Sequence, residues 1–318
     1  MTGMRDLIKR VPVPMSGVML GCAALGNLLQ SYSESIRYVF GAISFLLFIL
    51  LLLKAVLYPS TVKEDLKNPI MMSVSATFPM GTMLLSVYIK PISYTVAFTI
   101  WILAIALHLL LILMFTYRFM RKVNMKNVYA SYFIVYVGIA AAGITAPAFQ
   151  MQFIGTAAFW FGFISFIALL VLVGYRHIKY SEIPEPAQAL FCIFTAPGSL
   201  CLAAYLQSVE EKSLVLVLGL AVISFALYLL VLARLIPLLQ LPFYPSYSAF
   251  TFPFVISAIA SKQTAGFLMK NGIQASYLQP IIWIQTILAV LLVCYTLLRY
   301  CMFLMEIKVS SVKANAAN

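Results

Sequence analysis

VPVPMSGVMLGCAALGNLLQ (Val11–Gln30) followed by YVFGAISFLLFILLLLKAVLY (Tyr38–Tyr58) sets the pattern of the whole chain. The first stretch mixes apolar residues with Pro, Gly and Ser. The second is an almost unbroken run of Leu, Ile, Val and Phe. The same pairing recurs along the sequence, five times in all. One member of each pair is built to face a cavity and the other to face lipid, which points to a pore.

Composition sets the class. The chain has 318 residues, of which 63% are hydrophobic and 9% charged, and its mean hydropathy is +1.01. A soluble domain carries about 25% charged residues. Too little polar surface remains to face water, so the chain reads as a polytopic membrane protein. A spanning helix needs roughly 20 apolar residues. Ten stretches qualify: about 12–30, 37–58, 70–89, 92–118, 128–148, 153–175, 187–206, 213–236, 246–268 and 277–305. The expected layout is a cytoplasmic N-terminus over 1–11, one ten-helix transmembrane domain over 12–305 and a cytoplasmic tail over 306–318. The opening MTGMRDLIKR ahead of an apolar run has the outline of a signal peptide, but that run matches the later odd spans in character. The loops leave no room for an extramembrane catalytic domain.

With ten spans both termini lie on one side. That side carries sixteen of the 21 Lys and Arg residues; the other carries Arg37, Lys90, Lys212, Lys262 and Lys270. The positive-inside rule then puts both termini in the cytoplasm, and the plasma (inner) membrane is the expected location. The net charge of +12 follows from this bias. It needs no nucleic-acid partner.

The even spans have no interior proline and are apolar all round, as lipid contact requires. Each odd span holds a proline: Pro14, Pro79, Pro147, Pro197 and Pro253. Each also holds small or hydroxylated residues, such as Ser73, Ser75, Thr77 and Thr82 in MMSVSATFPMGTMLLS. An interior proline removes a backbone hydrogen bond and bends the helix. Water, hydroxyls or neighbouring helices must then satisfy the freed carbonyl. Five such helices running in one direction are expected to form an inner ring around a pathway, with the even helices outside.

The pathway carries no acid. All nine acidic residues sit in loops, tails or span ends. Buried carboxylates mark cation sites and proton relays, so their absence argues for a neutral route that passes anions. No metal-ligand spacing links the five cysteines, Cys22, Cys192, Cys201, Cys294 and Cys301, and packing is their expected role. His108 lies in an even span and reads as a hydrogen-bonded core histidine. His177, in the basic YRHIKY segment, reads as solvated. No catalytic, metal or cofactor constellation emerges. Lys262 lies ten residues after Phe252, about 15 Å along a helix. It is either a charge at the outer pore mouth or an interfacial anchor.

The ninth span, YPSYSAFTFPFVISAIASK, clusters Phe250, Phe252 and Phe254 around Pro253. An aromatic ring on a pore-lining helix closes a pathway as a hydrophobic constriction. The opening PVPMSGVMLGCAALGNLLQ, the prolines of the odd spans and the AFTFP segment together resemble the tellurite-resistance/dicarboxylate transporter family. Its members include bacterial TehA and the slow-type anion channels of plant guard cells. The resemblance covers essentially the whole chain. It implies a homotrimer with one anion pore inside each protomer's five helical hairpins. It also implies a gate at a ninth-span phenylalanine, Phe252 by its place in the Phe-Pro pair, with Phe250 the other candidate. Gly17 matches the small first-span position beside the pore. Where the family often carries tryptophan ahead of this motif, the chain has Tyr247. A secondary transporter of C4-dicarboxylate, sulfite or tellurite-type oxyanions is the alternative to a channel.

Overall fold

A computed structural model describes residues 2–180 and 182–316, and among them the chain is helical with no strand. A short amphipathic helix α1 (Thr2–Arg10) leads into α2 (Met15–Leu29) and α3 (Glu34–Leu57). A turn of helix, α4 (Pro59–Asp65), precedes α5 (Pro69–Ser75), α6 (Thr77–Ile89) and α7 (Tyr94–Phe115). The expected fifth span is broken into α8 (Tyr132–Tyr136), α9 (Ala141–Thr145) and 3-10 turns. Then come α10 (Gln152–Lys179), α11 (Glu185–Gln188), α12 (Ala196–Ser208) and α13 (Leu214–Leu239). α14 (Phe252–Lys270) and α15 (Gln279–Ala316) complete the fold. α15 runs through the boundary expected at 305, so the C-terminal segment continues a helix. Positions 317–318 of that segment and position 1 lie outside the described residues.

Among the described residues, seven helical stretches are long and apolar enough to cross a membrane. Of the other expected spans, α2 has 15 residues, Gly138–Phe149 is short and broken, and α14 carries Lys262 and Lys270. The two kinds of span differ in packing. Pro69–Ile89 and Glu185–Ser208 are 72% and 89% buried, whereas α3 and α13 are each 28% buried. α2 is buried except at Asn27 and Leu29. The inner segments touch in cyclic order: α2 on α6, α6 on α9, α9 on α12, α12 on α14, and α14 back on α2. The exposed helices back them, α3 on α2, α7 on α6, α13 on α12 and α15 on α14.

Local chemistry explains the boundaries. α3, α7 and α13 each start at a serine, Ser33, Ser93 and Ser213, whose hydroxyl accepts from the amide three residues on, at 3.4, 3.4 and 3.5 Å. Such a cap satisfies one of the free amides of a first helical turn. The prolines act differently from the expected mid-helix bends. Pro197 and Pro253 sit in the first turn of α12 and α14, after 3-10 segments at Ala189–Thr195 and Pro245–Phe250. Pro79 is the third residue of α6, Pro14 precedes α2, and Pro147 lies in a 3-10 turn. A first-turn proline removes an amide that had no partner inside the helix. The third, seventh and ninth spans are therefore each a jointed pair of segments, not one bent rod, whereas the fifth is broken into more pieces and α2 is a single helix that starts after Pro14.

Two basic groups are buried at the end of the molecule that holds the termini. Lys54 bonds the Val11 carbonyl and lies 3.7 Å from Asp65. Arg176, 1% exposed, donates to the carbonyls of Tyr180 (2.9 Å), Glu182 (3.1 Å) and Lys126 (3.4 Å). His177 is half-buried, not solvated: it bonds the Val173 carbonyl at 2.8 Å and packs edge-on to Phe194. The reason is that α10 continues through the basic YRHIKY segment to Lys179. His108 is fully buried, with Nε2 donating to the Val135 carbonyl at 2.9 Å.

Candidate functional site

Hydroxyls stitch the joints of the odd spans together. Ser16 and Thr77 share a hydrogen bond of 2.7 Å between α2 and α6. Thr251, the residue between the ninth span's two segments, bonds the Gly17 carbonyl at 2.9 Å. Ser257 of α14 reaches the Thr195 carbonyl at 3.1 Å and Ser199 at 3.3 Å. Serine and threonine are thus spent on carbonyls freed where the backbone changes from one segment to the next, as an apolar surrounding demands.

These joints enclose a central cavity of about 40 Å³, room for about three waters. All five inner segments contribute walls: Gly17 and Leu20 from α2, Thr77 and Met80 from α6, Phe133 and Gly138 from the fifth span, Ala196 and Pro197 from α12, and Phe252 and Pro253 from α14. α6, α12 and α14 all begin at this cavity, none with a side-chain cap. No charged side chain lines it.

A second cavity of about 220 Å³ lies further along α2, α12 and α14, away from the termini. Among the described residues, Phe252 is the one side chain that lines both. Beyond it, Gln207 and Gln263 line the second cavity and also a surface cleft of about 470 Å³ that holds Lys212 and Lys270. Burial and the neighbouring Lys270 push the Lys212 ammonium below the ordinary lysine range, opposed by Glu210.

The three phenylalanines around Pro253 face different ways. Phe250 is fully buried, edge-on to Tyr247 with ring centres 4.9 Å apart, and lines neither cavity. Phe254 packs against Tyr228 of α13 at 5.9 Å. Phe252, 5% exposed, is left between the cavities. Gly17 is held small by Ser248, whose Cβ would lie 3.0 Å from an added methyl.

Of the other expected pathway residues, Gly17, Thr77, Pro197 and Pro253 meet at the central cavity. Pro14, Pro79, Pro147 and Ser73 line neither cavity. Ser73 instead bonds Ser131 at 2.7 Å in a helix seam. Lys262 turns away from all three openings, bonding Ser31 and standing 4.7 Å over the Tyr32 ring. A cation over an aromatic face is the interfacial-anchor geometry. Asn27, Gln207 and Gln263 were not singled out from the sequence. The sequence signal was weak: Asn27 stands in a small and apolar stretch, but Gln207 falls just past the expected seventh span and Gln263 directly follows Lys262.

A multi-pass helical bundle with uncharged cavities threaded between its buried segments defines the class of membrane channels and transporters. The model of the voltage-dependent anion channel family (SLAC1) matches residues 10–304, and the chain belongs to that family. No individually curated protein matches it. The resemblance stated from the sequence was to this same family.

Proposed function

We propose that the protein is a passive anion channel, with one pathway through each protomer and Phe252 as its gate. The observation that carries this reading is that Phe252 alone lines both the central and the second cavity, so its ring closes the route between them. Ten spans make five hairpins, the odd ones forming an inner ring; the cyclic contacts of α2, α6, α9, α12 and α14 support that order. Pore-lining roles then fall to Gly17, Thr77, Pro197 and Pro253. Lys212 and Lys270, not Lys262, are the cations at the outer mouth.

The sign of the permeant ion follows from two features. No carboxylate lines either cavity, although Glu210 stands with Lys212 and Lys270 in the surface cleft, and α6, α12 and α14 begin at the central cavity without a side-chain cap. Helix starts favour an anion, here only in part, because α5 and two 3-10 segments end against the same three starts, so an anion is held less tightly than by a fixed cation. Weak sites of this kind suit conduction. Small inorganic or organic anions are the substrates, the assembly is a homotrimer, and both termini face the cytoplasm of the plasma membrane.

Single-channel recording of the purified protein in planar bilayers tests the reading. Stepwise anion currents that persist without a proton gradient are expected. Saturable, gradient-coupled flux without unitary steps favours the alternative, a transporter of dicarboxylate or oxyanions.

A further inference from the structure

The wall of the second cavity has a feature that closing the pore does not require. It is apolar except for three carboxamides: Asn27 from the first span, Gln207 from the seventh and Gln263 from the ninth. They come from three different segments and meet next to Phe252, on the side away from the termini. The Oδ1 of Asn27 accepts from Arg37 Nε at 3.4 Å. That contact fixes which way the amide lies and leaves its NH2 free for the cavity. The Oε1 of Gln263 is buried with no protein partner. Exchanging its oxygen and nitrogen by a half-turn, which the shape of the amide allows, presents two N–H donors at the same spot.

We propose that Asn27, Gln207 and Gln263 form a coordination site for a small, partly dehydrated monovalent anion, set directly outside the Phe252 gate. The site rests on the channel reading above and deepens it. An anion leaving the cleft of Lys212 and Lys270 loses water as it enters the narrower cavity. Carboxamide N–H groups replace part of that shell. Being uncharged, they hold the ion loosely enough to release it past the ring. Strongly hydrated anions such as chloride gain most, because they lose most on dehydration. Weakly hydrated iodide gains less. The trio therefore offsets the natural preference of an apolar pore for iodide.

The test uses purified full-length protein in planar bilayers, in the wild type and in Phe252→Ala, with chloride on one side and iodide on the other. Asn27→Leu, Gln207→Leu and Gln263→Leu are each expected to lower chloride conductance about five-fold, the worth of one hydrogen bond. Each is also expected to raise the iodide-to-chloride permeability ratio by a similar factor. A purely structural role does not move that ratio. Gln263→Glu, which keeps the shape but replaces donors with negative charge, is expected to cut chloride current about ten-fold or more. Leucine variants that elute as the wild type and keep its permeability ratio overturn the site while leaving the channel standing. A Phe252→Ala protein that passes no anion current overturns the channel reading itself, and the site with it.

Discussion

The Thr251 hydroxyl stands between two carbonyl oxygens, that of Ser248 at 2.7 Å and that of Gly17 at 2.9 Å, the second 234 positions away in the chain. Thr251 is the joint between the 3-10 segment and α14, with φ −96° and ψ −94°, and the next residue is Phe252. The first span therefore holds the hinge on which the ring hangs. Thr251→Val keeps the shape and removes the donor. It is expected to lower stability by about 1 kcal/mol and to raise resting anion current. Thermal melting in detergent and bilayer recording read the two effects, and Thr251→Ser should restore both.

Removing the ring separates the two aromatic candidates. Phe252→Ala is expected to raise anion current several-fold, because nothing else lines both cavities. Phe250→Ala should instead destabilise by about 3 kcal/mol, since it empties a fully buried site against Tyr247, and leave the pore closed. An open Phe250→Ala channel with a silent Phe252→Ala would reverse the assignment.

The close approach of the first and ninth spans gives a third test. A methyl added at Gly21 would lie 2.5 Å from Thr251 Cβ. Gly21→Ala should therefore displace the hinge and change gating at normal surface expression. Gly17→Asp places a carboxylate at the central cavity and is expected to suppress anion flux in proteoliposomes. Normal flux with normal expression would remove Gly17 from the route.

Lys212 supplies a pH dependence. Burial first, and Lys270 second, hold its ammonium below the ordinary lysine range, which is about 10.4. Its charge is present at neutral pH and is lost as pH rises, earlier than for a free lysine. Anion conductance should fall as the solution on that side is made alkaline. Lys270→Met removes a like charge and should move the fall to higher pH; Lys212→Met should abolish it. Recording at stepped pH on one side of the bilayer measures both.

Arg176 tests the packing at the opposite end. It ties three carbonyls of two loops to α10 while nearly fully buried. Arg176→Leu strands those acceptors and should cost several kcal/mol, seen as a lower melting temperature. Arg176→Lys, without the forked donors, should recover only part of it.

That the chain is a multi-pass helical membrane protein with more and less buried helices was legible because length of apolar sequence and the placement of proline are one-dimensional signals. Proline's local role was not. Whether Pro197 bends a helix or begins one depends on the backbone of Ala189–Thr195, and apolar composition does not distinguish a 3-10 turn from an α-turn. The choice between Phe250 and Phe252 needed the register of the ninth span, which changes at Thr251. Lys262 looked like a pore charge by its distance along α14, but Tyr32, on a different hairpin, takes it away. The carboxamides stayed hidden for the same reason: Asn27 and Gln207 are 180 positions apart and meet only through packing.

The uncharged lining of the central cavity has an electrical consequence. Moving one elementary charge through the full membrane potential is worth about 2.3 kcal/mol per 100 mV. On the proposed gating, swinging the Phe252 ring moves no such charge, so the field would do almost no work on that step. It acts on the permeating ion instead. Any dependence of current on voltage must then scale with the ion's own position in the field, and should change when the anion is exchanged for another rather than when the protein's side chains are neutralised.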